Sequence, residues 1–407
     1  MRILFIHQSF PGPFQHIATH FGALPGTTVL FLSERHRREI RIPGVRRLLV
    51  SAPQGVASTD SAEREILLAL RRGANVANAL LRLQHEGFHP DIVCASAGAG
   101  SGFYVADIFP EAFRAVYADW FYTKGVNYNF FSRGASRSPA DFAPGRVRNL
   151  CQFNALFDCD FAVTSTNWQK AQFPAAFAKS IQVLHQGIDT DFFSPAPDER
   201  FVVDGCDMTD VPELVTYSGR SLEPFRGFPH FARSLPLLLA ARPACHVLIM
   251  AAGRKESDEA SDRALSDSLA FLTPAERNRV HFLGFRPYED YRRLLRASTV
   301  HVYLTAPFAL SSGLFEAMSC GCLLAGSDTE PVREVIRHGE NGFLCGFGDE
   351  TALAQTVIGL LQRSSVMNPI RAAARQTILD QYDIKKLAPK HAQRLLDAYA
   401  QKTQTRF

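Results

Sequence analysis

Residues 300–319 read VHVYLTAPFALSSGLFEAMS, and the fold class can be inferred from them. An apolar run of strand length, Val300–Leu304, passes through a turn of small residues into a segment with helical periodicity from Leu314 onward. A strand that is apolar on both faces and leads directly into a helix is typical of a parallel sheet covered by helices on both sides. The segment therefore predicts one βα unit of an α/β domain.

The same alternation continues over the whole chain. Further apolar runs have the length of strands, and helix-length segments with a period near 3.6 residues lie between most of them. Doubly wound parallel sheets follow from this order. The predicted strands outside residues 300–319 are Arg2–Ile6, Thr28–Leu32, Asp91–Cys94, Ala115–Tyr117, Phe161–Thr164, Ile181–Leu184, Glu213–Tyr217, Val247–Ala251, Val280–Phe282 and Leu323–Ala325.

Two domains are predicted from an interruption of this pattern. Turn residues cluster at 187–197, where no period fits, and a chain of 407 residues is long enough for two hydrophobic cores. We predict Rossmann-like domains at 1–190 and 191–385, facing each other across a cleft, and a C-terminal helix at 386–407 that packs back on the first domain. A second irregular stretch, Ser132–Arg146, predicts a loop.

Composition excludes several classes of protein. With 46% hydrophobic and 21% charged residues, the chain has the balance of an ordinary soluble globular protein, and a net charge of +4 is too slight to indicate nucleic acid as a partner. Its apolar runs are too short for a membrane-spanning helix or a secretory signal, so a cytoplasmic location is expected. The eight cysteines include no C-x-x-C pair, which indicates neither a zinc site nor a disulfide framework.

Positive charge is concentrated in one short segment of the predicted N-terminal domain. A solvated surface accounts for such a cluster, and so does contact with a phosphorylated acceptor or peripheral contact with the anionic inner face of the membrane. The cluster consists of Arg35, Arg37, Arg38, Arg41, Arg46 and Arg47.

The loops that follow strands are the candidate sites, because ligands in open parallel sheets bind beyond the carboxyl ends of the strands. The first loop, His7–His16, opens onto a helix, and Gly12 would let backbone N–H groups approach an anion. A plain strand-to-helix turn explains this loop equally well, because the G-x-G-x-x-G fingerprint is absent.

A second loop, Ser218–Gly227, contains two arginines. Arg220, which follows Gly219, and Arg226 carry permanently charged, fork-shaped guanidinium groups that suit the oxygens of a diphosphate. A salt bridge with Glu223 is an equal alternative.

The strongest candidate is the small-residue turn within 300–319. The free N–H groups at Ser311, Ser312, Gly313 and Leu314, with the positive end of the helix dipole, form a seat for phosphate. Glu316 lies one turn inside the helix, and its acceptor-only carboxylate would hold ribose hydroxyls. The alternative is a helix-start carboxylate that only stabilises the dipole.

Two further loops carry weaker signals. At Leu283–Tyr288, the main chain around Phe285 and Arg286 would bind a nucleotide base. The segment 158–160 (DCD) matches the D-x-D of metal-dependent sugar transferases, but it lies between a helix and a strand in a chain without the single-sheet layout of those enzymes. We therefore expect no metal site.

Together these motifs resemble glycosyltransferase family 4, the retaining nucleotide-sugar transferases with the GT-B fold. In the C-terminal half, the family order is matched by 219–220 (GR), 226–227 (RG), 280–284 (VHFLG), 315–321 (FEAMSCG) and 341–343 (NGF). In the N-terminal half, one bacterial branch of the family is matched by 10–12 (FPG), 119–122 (DWFY), 166–169 (TNWQ) and 187–190 (GIDT).

The resemblance implies roles for individual residues. Arg220 and Arg226 would hold the donor diphosphate, although the family more often has Lys at the position of Arg226. Glu316 resembles the second carboxylate of the E-x7-E motif, which holds the ribose. The first would fall at Phe308, which is not acidic and argues against an enzymatic nucleophile there. Ser96 stands where that branch usually has His. The acceptor side would include His7, Gly98, Gly100, Asp119 and Tyr122.

The expected activity is metal-independent, retaining transfer of a sugar from a nucleotide-diphosphate donor to a saccharide or lipid-linked saccharide, with same-face attack and no cofactor. A role in polysaccharide biosynthesis is implied. The alternatives are a nucleotide-sugar epimerase, a sugar phosphorylase, or a catalytically degenerate protein that only binds sugar nucleotides. The predicted catalytic residues are Arg220, Arg226 and Glu316, and the predicted donor-binding residues are Gly12, Gly219, Phe285, Arg286, Ser311, Ser312, Gly313, Leu314 and Glu316.

Overall fold

The computed structural model describes residues 1–35, 40–55, 60–123, 139–196, 199–203, 205–220, 222–251, 265 and 267–404. These residues form two compact units. The first contains the described residues of 1–187 together with the segment from 384 onward, and the second contains those of 188–383. The chain therefore passes between the units at 187–188 and at 383–384, whereas the sequence-based boundaries lie a few residues further along.

Seven parallel strands form the sheet of the first unit. In the first of them, Ile3 to Ile6 are buried on both faces, as expected for a central strand between two layers of helices. The strands are β1 (Arg2–Ile6), β2 (Thr28–Ser33), β3 (Val45–Leu49), β4 (Ile92–Ser96), β5 (Phe113–Tyr117), β6 (Phe161–Thr164) and β7 (Ile181–Val183). Their order in the sheet is β3-β2-β1-β4-β5-β6-β7.

Helices pack on both faces of this sheet. Ile3 and Phe5 share a core cluster with Phe21, whereas Leu4 and Ile6 belong to a cluster on the opposite face. The C-terminal helix, Ile384–Gln404, joins the first cluster through Ala392 and Leu395. The other helices of this unit are α1 (Gln15–Gly22), α2 (Ser61–His85), α3 (Val105–Ile108), α4 (Pro139–Phe157), α5 (Asn167–Gln172) and α6 (Ala175–Ala178).

A six-stranded parallel sheet forms the centre of the second unit, beside a two-stranded antiparallel ribbon. The ribbon consists of β8 (Val202–Val203) and β9 (Cys206–Asp207). The sheet consists of β10 (Glu213–Gly219), β11 (Cys245–Ala251), β12 (Val280–Phe282), β13 (Val300–Tyr303), β14 (Leu324–Ser327) and β15 (Phe343–Cys345). Their order is β12-β11-β10-β13-β14-β15.

The helices of the second unit also divide between two core clusters. Phe315 and Met318 pack with Leu248 on one face of the sheet, whereas Phe231 and Leu235 pack with Val247 on the other. The helices are α7 (Phe228–Ala241), α8 (Pro274–Arg277), α9 (Tyr288–Ala297), α10 (Ser312–Ser319), α11 (Glu330–Arg333), α12 (Glu350–Gln362) and α13 (Asn368–Gln381).

The predicted fold class, two α/β domains with parallel sheets, is confirmed. The edge strands β3 and β15 and the ribbon strands β8 and β9 are missing from the prediction, whereas the edge strands β7 and β12 are part of it. β3 is partly exposed and contains two arginines, so it lacks the continuous apolar run of a central strand. The predicted loop at Ser132–Arg146 is wrong from Pro139 onward, where α4 begins, and residues 132–138 lie outside the described part of the chain.

The predicted basic cluster overlaps the edge strand β3. Arg35, Arg41 and Arg46 are exposed, whereas the guanidinium carbon of Arg47 lies 4.4 Å from the centre of the Phe10 ring. Arg37 and Arg38 of this cluster lie outside the described residues. Over the part of the chain that is described, no helix combines the length and apolar character needed to cross a membrane.

Candidate functional site

The strand order of each sheet reverses at one point, where ligands of open α/β folds bind beyond the carboxyl ends of the strands. In the second unit this point lies between the paired strands β10 and β13. The segment after β10 leads to Arg226, and the segment after β13 leads to the start of α10. The topology therefore brings the two strongest predicted loops to the same edge of one sheet.

A single turn of 3-10 helix, Pro224–Arg226, carries Arg226. The Tyr217 hydroxyl donates a hydrogen bond to the Arg226 carbonyl oxygen at 2.9 Å, and the Ala306 N–H donates to the Phe225 carbonyl oxygen at 2.7 Å. Gly227 follows with a φ of +74°, which residues with a Cβ adopt only under strain. Hydrogen bonds from β10 and from the loop after β13 therefore fix this turn.

The Arg226 side chain lies against an aromatic surface. Its guanidinium carbon is 5.0 Å from the centre of the Phe225 ring, and that ring contacts the Phe308 ring at a centroid distance of 5.7 Å. Burial raises the pKa of Tyr303, and the Arg226 charge is close enough to act in the opposite direction. Within the described part of the chain, the buried Nε of Arg226 has no hydrogen-bond partner. A buried guanidinium donor without a partner is unusual in a folded protein, and the permanent charge of this group suits an anionic ligand at this turn.

Helix α10 begins beside Tyr303, the last residue of β13. The Ser311 N–H donates to the Tyr303 hydroxyl at 3.2 Å, and among the described residues the Ser311 side chain makes no capping hydrogen bond to the helix. Ser312 and Gly313 open the first turn, and Leu314 packs in the core and offers only main-chain groups. The Leu314 N–H donates to the Ser311 carbonyl oxygen at 3.3 Å, so two of the four predicted free amides, those of Ser311 and Leu314, already have partners. Among the described residues, the Ser312 and Gly313 amides and the partial positive charge of the helix end are left to bind an anion.

Glu316 is buried one turn inside α10. Burial raises the pKa of Glu316 to about 7, and hydrogen bonds from the Ser312 and Tyr291 hydroxyls act in the opposite direction. The group therefore titrates near neutral pH. In its ionised form it is a pure acceptor, which suits a ligand that presents hydroxyl groups.

The other residues predicted on the donor side have more varied surroundings. Gly219 is the last residue of β10, and Arg220 follows it with an exposed side chain. Phe285 is 67% exposed, which leaves its ring available for a ligand to stack on. The Arg286 Nε turns back to donate to the carbonyl oxygen of Leu283 at 2.8 Å.

In the first unit the strand order reverses between β1 and β4, which are paired. His7 follows β1, and its Nδ1 lies 2.8 Å from the Ser9 carbonyl oxygen and 3.1 Å from the Ser9 backbone nitrogen. Gly12 has a φ of +53°, and a Cβ at this position would lie 2.2 Å from the His7 Nδ1. Only glycine therefore lets the loop pass so close to the imidazole ring.

Asp119 lies near His7 at the same edge. Its Oδ1 accepts hydrogen bonds from the Gln152 Nε2 and from the Trp120 N–H, both at 3.1 Å. Burial raises the pKa of Asp119, and the Gln152 hydrogen bond and the His7 charge act against that rise. A Cβ on Gly98 would lie 3.6 Å from the Asp119 Oδ1. The fold thus brings His7, Gly98 and Asp119 together.

Gly100 and Tyr122 have contacts within the scaffold instead. Gly100 has a φ of +83°, and a Cβ there would lie 2.6 Å from the Ala69 carbonyl oxygen of α2. The Tyr122 hydroxyl accepts a hydrogen bond from Arg148 at 3.2 Å, and Arg148 forms an ion pair with Glu65 of α2 at 2.5 Å. Gly100 therefore packs directly against α2, whereas Tyr122 is linked to α2 through Arg148.

The D-x-D segment also has a structural explanation. The Asp160 Oδ2 accepts hydrogen bonds from the Arg114 N–H at 2.8 Å and from the Lys402 Nζ at 2.7 Å. Across the described residues, no group of three or more His, Cys, Asp or Glu side chains is arranged to hold a metal ion.

Three tyrosines that support the site are missing from the sequence-based candidates. Tyr217 holds the Arg226 turn, Tyr303 contacts the start of α10, and Tyr291 lowers the pKa of Glu316. A signal was present for the first two, because each is a polar aromatic residue near the carboxyl end of a predicted strand. Tyr291 has no local signal, since it lies on α9 and reaches Glu316 only through the fold.

Two family models match the chain. One, described as "Glycosyl transferase family 4 group", matches residues 25–193, and the other, described as "Glycosyl transferases group 1", matches residues 212–363. The chain is a member of glycosyltransferase family 4. One match covers most of the first unit and the other covers most of the second, so each unit of this family 4 protein matches a glycosyltransferase model.

Curated relatives are similar over part of the family 4 chain. A phosphatidyl-myo-inositol mannosyltransferase from Mycobacterium leprae is 28% identical over 206 residues, 49% of each chain. An N-acetyl-alpha-D-glucosaminyl L-malate synthase from Bacillus anthracis is 31% identical over 114 residues, 28% of this chain and 29% of the relative. The chain thus spans less than half the length of each of these relatives.

Solved structures are similar over nearly the whole chain. The Anabaena protein HepE, crystallised with UDP and glucose, superposes with a TM-score of 0.72 at 17% identity, over 98% of this chain and 100% of that one. Sucrose-phosphate synthase from Thermosynechococcus elongatus superposes with a TM-score of 0.76 at 16% identity, over 98% and 99%. At this identity the likeness concerns the fold, and it confirms the predicted GT-B class.

Replacing Gly227 with alanine is expected to destabilise the second unit by about 3 kcal/mol, within the range for strained backbone and steric overlap. The added Cβ would lie 2.4 Å from the Leu304 Cβ and would also have to adopt a φ of +74°. Urea denaturation would measure the loss. Gly339→Ala is the matched control, because its φ is +79° and nothing lies within 4 Å of the added Cβ. Equal losses in the two variants would contradict the steric argument.

Proposed function

We propose that this family 4 protein transfers a sugar from a nucleoside-diphosphate donor to a hydroxyl acceptor, with retention of the anomeric configuration and without a metal ion. The observation that carries the proposal is the buried Nε of Arg226, which has no hydrogen-bond partner among the described residues, in the turn next to the start of α10. A diphosphate would balance the charge of the Arg226 guanidinium group and would supply acceptor oxygens to the Ser312 and Gly313 amides. Glu316, one turn further along α10, would accept hydrogen bonds from the ribose hydroxyls.

The proposed transfer depends more on stabilisation of the negative charge of the leaving group than on a general base from the protein. As the bond between the sugar C1 and the phosphate oxygen breaks, negative charge grows on the departing diphosphate. Arg226, Arg220 and the amides of α10 lower the barrier because they bind this charge more strongly in the transition state than in the ground state. The acceptor oxygen forms the new bond to C1 on the face from which the phosphate leaves. Its proton passes to the departing phosphate oxygen, so the configuration at C1 is kept.

The acceptor would bind the first unit near His7, Gly98 and Asp119. A saccharide or lipid-linked saccharide fits this edge, because partly buried carboxyl and imidazole groups hydrogen-bond hydroxyls well. The similarity to a protein named as a phosphatidyl-myo-inositol mannosyltransferase supports the lipid-linked form. The exposed Arg35, Arg41 and Arg46 would give peripheral contact with an anionic membrane surface.

A transfer assay with a panel of UDP-, GDP- and ADP-sugars tests the proposal. Each donor would be offered with lipid-linked acceptors in anionic and in neutral vesicles, with and without a chelator, and the product anomer would be determined by NMR. We expect the anomeric configuration of the donor in the product, full activity with chelator and faster transfer on anionic vesicles at low salt. An inverted product or an absolute requirement for Mg²⁺ or Mn²⁺ would contradict the mechanism.

A second candidate function is favoured by Phe308. Its ring packs on Phe225 at the position where the resemblance expects a carboxylate, so one contact to the donor sugar is missing. A catalytically degenerate protein would then bind the nucleotide sugar without turning it over. The same assay separates the possibilities, since a degenerate protein binds donors without product. An epimerase converts the donor with no acceptor present, and a phosphorylase requires phosphate.

A further inference from the structure

Two buried glutamines from different helices hold Asp119. The Gln169 Nε2 of α5 donates to the main-chain oxygen of Asp119 at 2.7 Å, and the Gln169 Oε1 accepts from the Thr166 hydroxyl at 3.1 Å. The Gln152 Nε2 of α4 donates to the Asp119 Oδ1 at 3.1 Å. Gln169 is 2% exposed and Gln152 is 3% exposed. The main chain and the carboxylate of Asp119 are therefore each held by an amide that lies inside the first unit.

The two glutamines differ in how well their own hydrogen-bonding groups are satisfied. The nitrogen and the oxygen of the Gln169 amide both have partners, whereas the buried Oε1 of Gln152 has none among the described residues. Turning the Gln152 amide over would place this oxygen against the Asp119 Oδ1, where two acceptors would meet. A buried oxygen without a donor costs stability. The orientation of the Gln152 amide therefore serves the Asp119 carboxylate and leaves the amide itself incompletely paired.

The Asp119 carboxylate borders a space beside Gly98. A Cβ on Gly98 would lie 3.6 Å from the Asp119 Oδ1, 3.7 Å from the Asp119 Oδ2 and 3.7 Å from the Gln152 Nε2. Among the described residues, these are the nearest atoms that it would meet outside the adjoining chain. Gly98 and Asp119 are both partly exposed. Because glycine has no side chain, this space accommodates one small group, and a hydroxyl placed there would donate to the carboxylate.

We infer that Gln152 is a positioning residue for the acceptor: it holds the Asp119 carboxylate so that a hydroxyl group of the acceptor donates to this carboxylate beside Gly98. This inference rests on the proposed function, and it adds a determinant of acceptor binding that does not involve the donor. The groups whose charges interact with Asp119 include His7, after β1, and Tyr117 of β5. Helices α4 and α5 contribute the neutral amides of Gln152 and Gln169.

Gln152→Met tests this inference, because methionine keeps the length of the side chain and removes the donor. Phosphatidylinositol in vesicles and octyl α-D-mannoside would serve as acceptors, each with UDP-, GDP- and ADP-sugars. Loss of a hydrogen bond to a charged group predicts an about 10-fold higher KM for the acceptor that the wild type uses. The kcat and the KM for the donor should change little, because Gln152 lies in the other unit from the donor site.

Two further variants make the kinetic test specific. Gly98→Ala fills the space beside the carboxylate and should raise the same acceptor KM. The fold should tolerate it, because the nearest contact of the added Cβ is 3.6 Å and the φ of Gly98 lies outside the left-handed region. Gln84→Met is the matched control and should leave all kinetic constants unchanged. Gln84 donates to the Ile108 carbonyl oxygen at 2.8 Å, and it lies in the last turn of α2, towards the amino end of β4.

A double-mutant cycle and a titration separate a positioning role from a general structural one. If Gln152 acts through Asp119, Gln152→Met should have no further effect on the acceptor KM in an Asp119→Asn background. NMR of aspartate labelled at its carboxyl carbon gives a measurement without substrate, and the Asp119 resonance is the one that Asp119→Asn removes. Gln152→Met should raise the pKa of Asp119, because the Gln152 hydrogen bond stabilises the ionised form.

The possible results distinguish this inference from the proposed function. A wild-type acceptor KM or a wild-type pKa of Asp119 in Gln152→Met, or additive losses in the cycle, would overturn the inference. Failure of the wild type to transfer sugar from any of the donors to either acceptor would instead overturn the proposed function. The titration would then still show whether Gln152 acts on Asp119.

Discussion

Replacing Arg226 with alanine is expected to lower kcat/KM for sugar transfer by about 100- to 1,000-fold, the usual effect of removing one preorganised donor to developing charge. Most of the loss should appear in kcat, because the diphosphate carries more charge in the transition state than in the bound donor. The turn should survive the substitution, since the hydrogen bond from the Tyr217 hydroxyl reaches the main-chain oxygen of residue 226. Steady-state kinetics with a saturating acceptor would measure the effect.

Two further variants make this experiment specific. Arg233→Ala removes a half-exposed arginine of α7 that pairs with Glu350 at 2.8 Å, and it should leave transfer essentially unchanged. Arg226→Lys keeps the charge but loses the fork, so it should retain more activity than the alanine variant. If Arg226→Ala were as active as Arg233→Ala, the diphosphate would not bind at this turn.

Replacing Glu316 with glutamine is expected to stabilise the protein at pH 8 while weakening its affinity for nucleoside diphosphates. Burial raises the pKa of Glu316 from its ordinary value of 4.5 to about 7. At 1.36 kcal/mol per pH unit, keeping this group ionised in the folded state costs about 3 kcal/mol of stability. Glutamine removes that cost and still offers hydrogen-bonding groups to Ser312 and Tyr291.

The direction in which stability changes with pH follows from the protons bound by the folded and unfolded states. Between pH 4.5 and about pH 7, the unfolded chain has released the Glu316 proton and the folded protein has kept it. The contribution of this group to stability is therefore complete below pH 4.5 and is lost as the pH rises through about 7. The melting temperature of the variant should exceed that of the wild type by roughly 6–12 °C at pH 8 and should match it at pH 4.5. A difference that did not change with pH would contradict the assignment.

The affinity of the wild type for nucleotides should rise with pH, whereas the contribution of Glu316 to stability falls. Ribose hydroxyls donate to the ionised carboxylate, so protonation of Glu316 should weaken binding by up to about 10-fold per pH unit below its pKa. The ratio of wild-type to Glu316→Gln affinity should therefore rise from pH 6 to pH 8, and this ratio cancels the titration of the ligand itself. Calorimetry over that range would measure it. A constant ratio would show that Glu316 does not accept hydrogen bonds from the nucleotide.

The fold class was predictable because it depends on short-range pattern. A strand such as β1 or β11, apolar on both faces, requires helices on both sides, and the alternation of such strands with helices leaves a parallel sheet as the solution. Of the four edge strands, β7 and β12 were predicted and β3 and β15 were not, because a strand with one neighbour need not be continuously apolar. The segment Val45–Leu49 contains two arginines, and its character as a strand depends on its pairing with β2.

The candidate site was predictable only as a set of loops. The sequence indicates that Arg226, Ser311 and Glu316 follow strands or open helices, and the rule that ligands bind at carboxyl ends makes them candidates. Glycines show the limit of this reasoning. Gly12 and Gly100 look alike in sequence, yet one gives room to the His7 ring and the other to the backbone of α2.

By itself, the sequence determined the alternation of strands and helices, the order of the motifs and the residue types at the ends of the strands, since each of these depends on neighbours along the chain. Only the tertiary structure decided which of these residues meet. Ser298 and Thr216 are 82 positions apart and contact each other because β10 and β13 are adjacent in the sheet. The burial that raises the pKa of Glu316, and the tyrosine that contacts it, arise from the same packing, because desolvation and hydrogen bonding are properties of the assembled core.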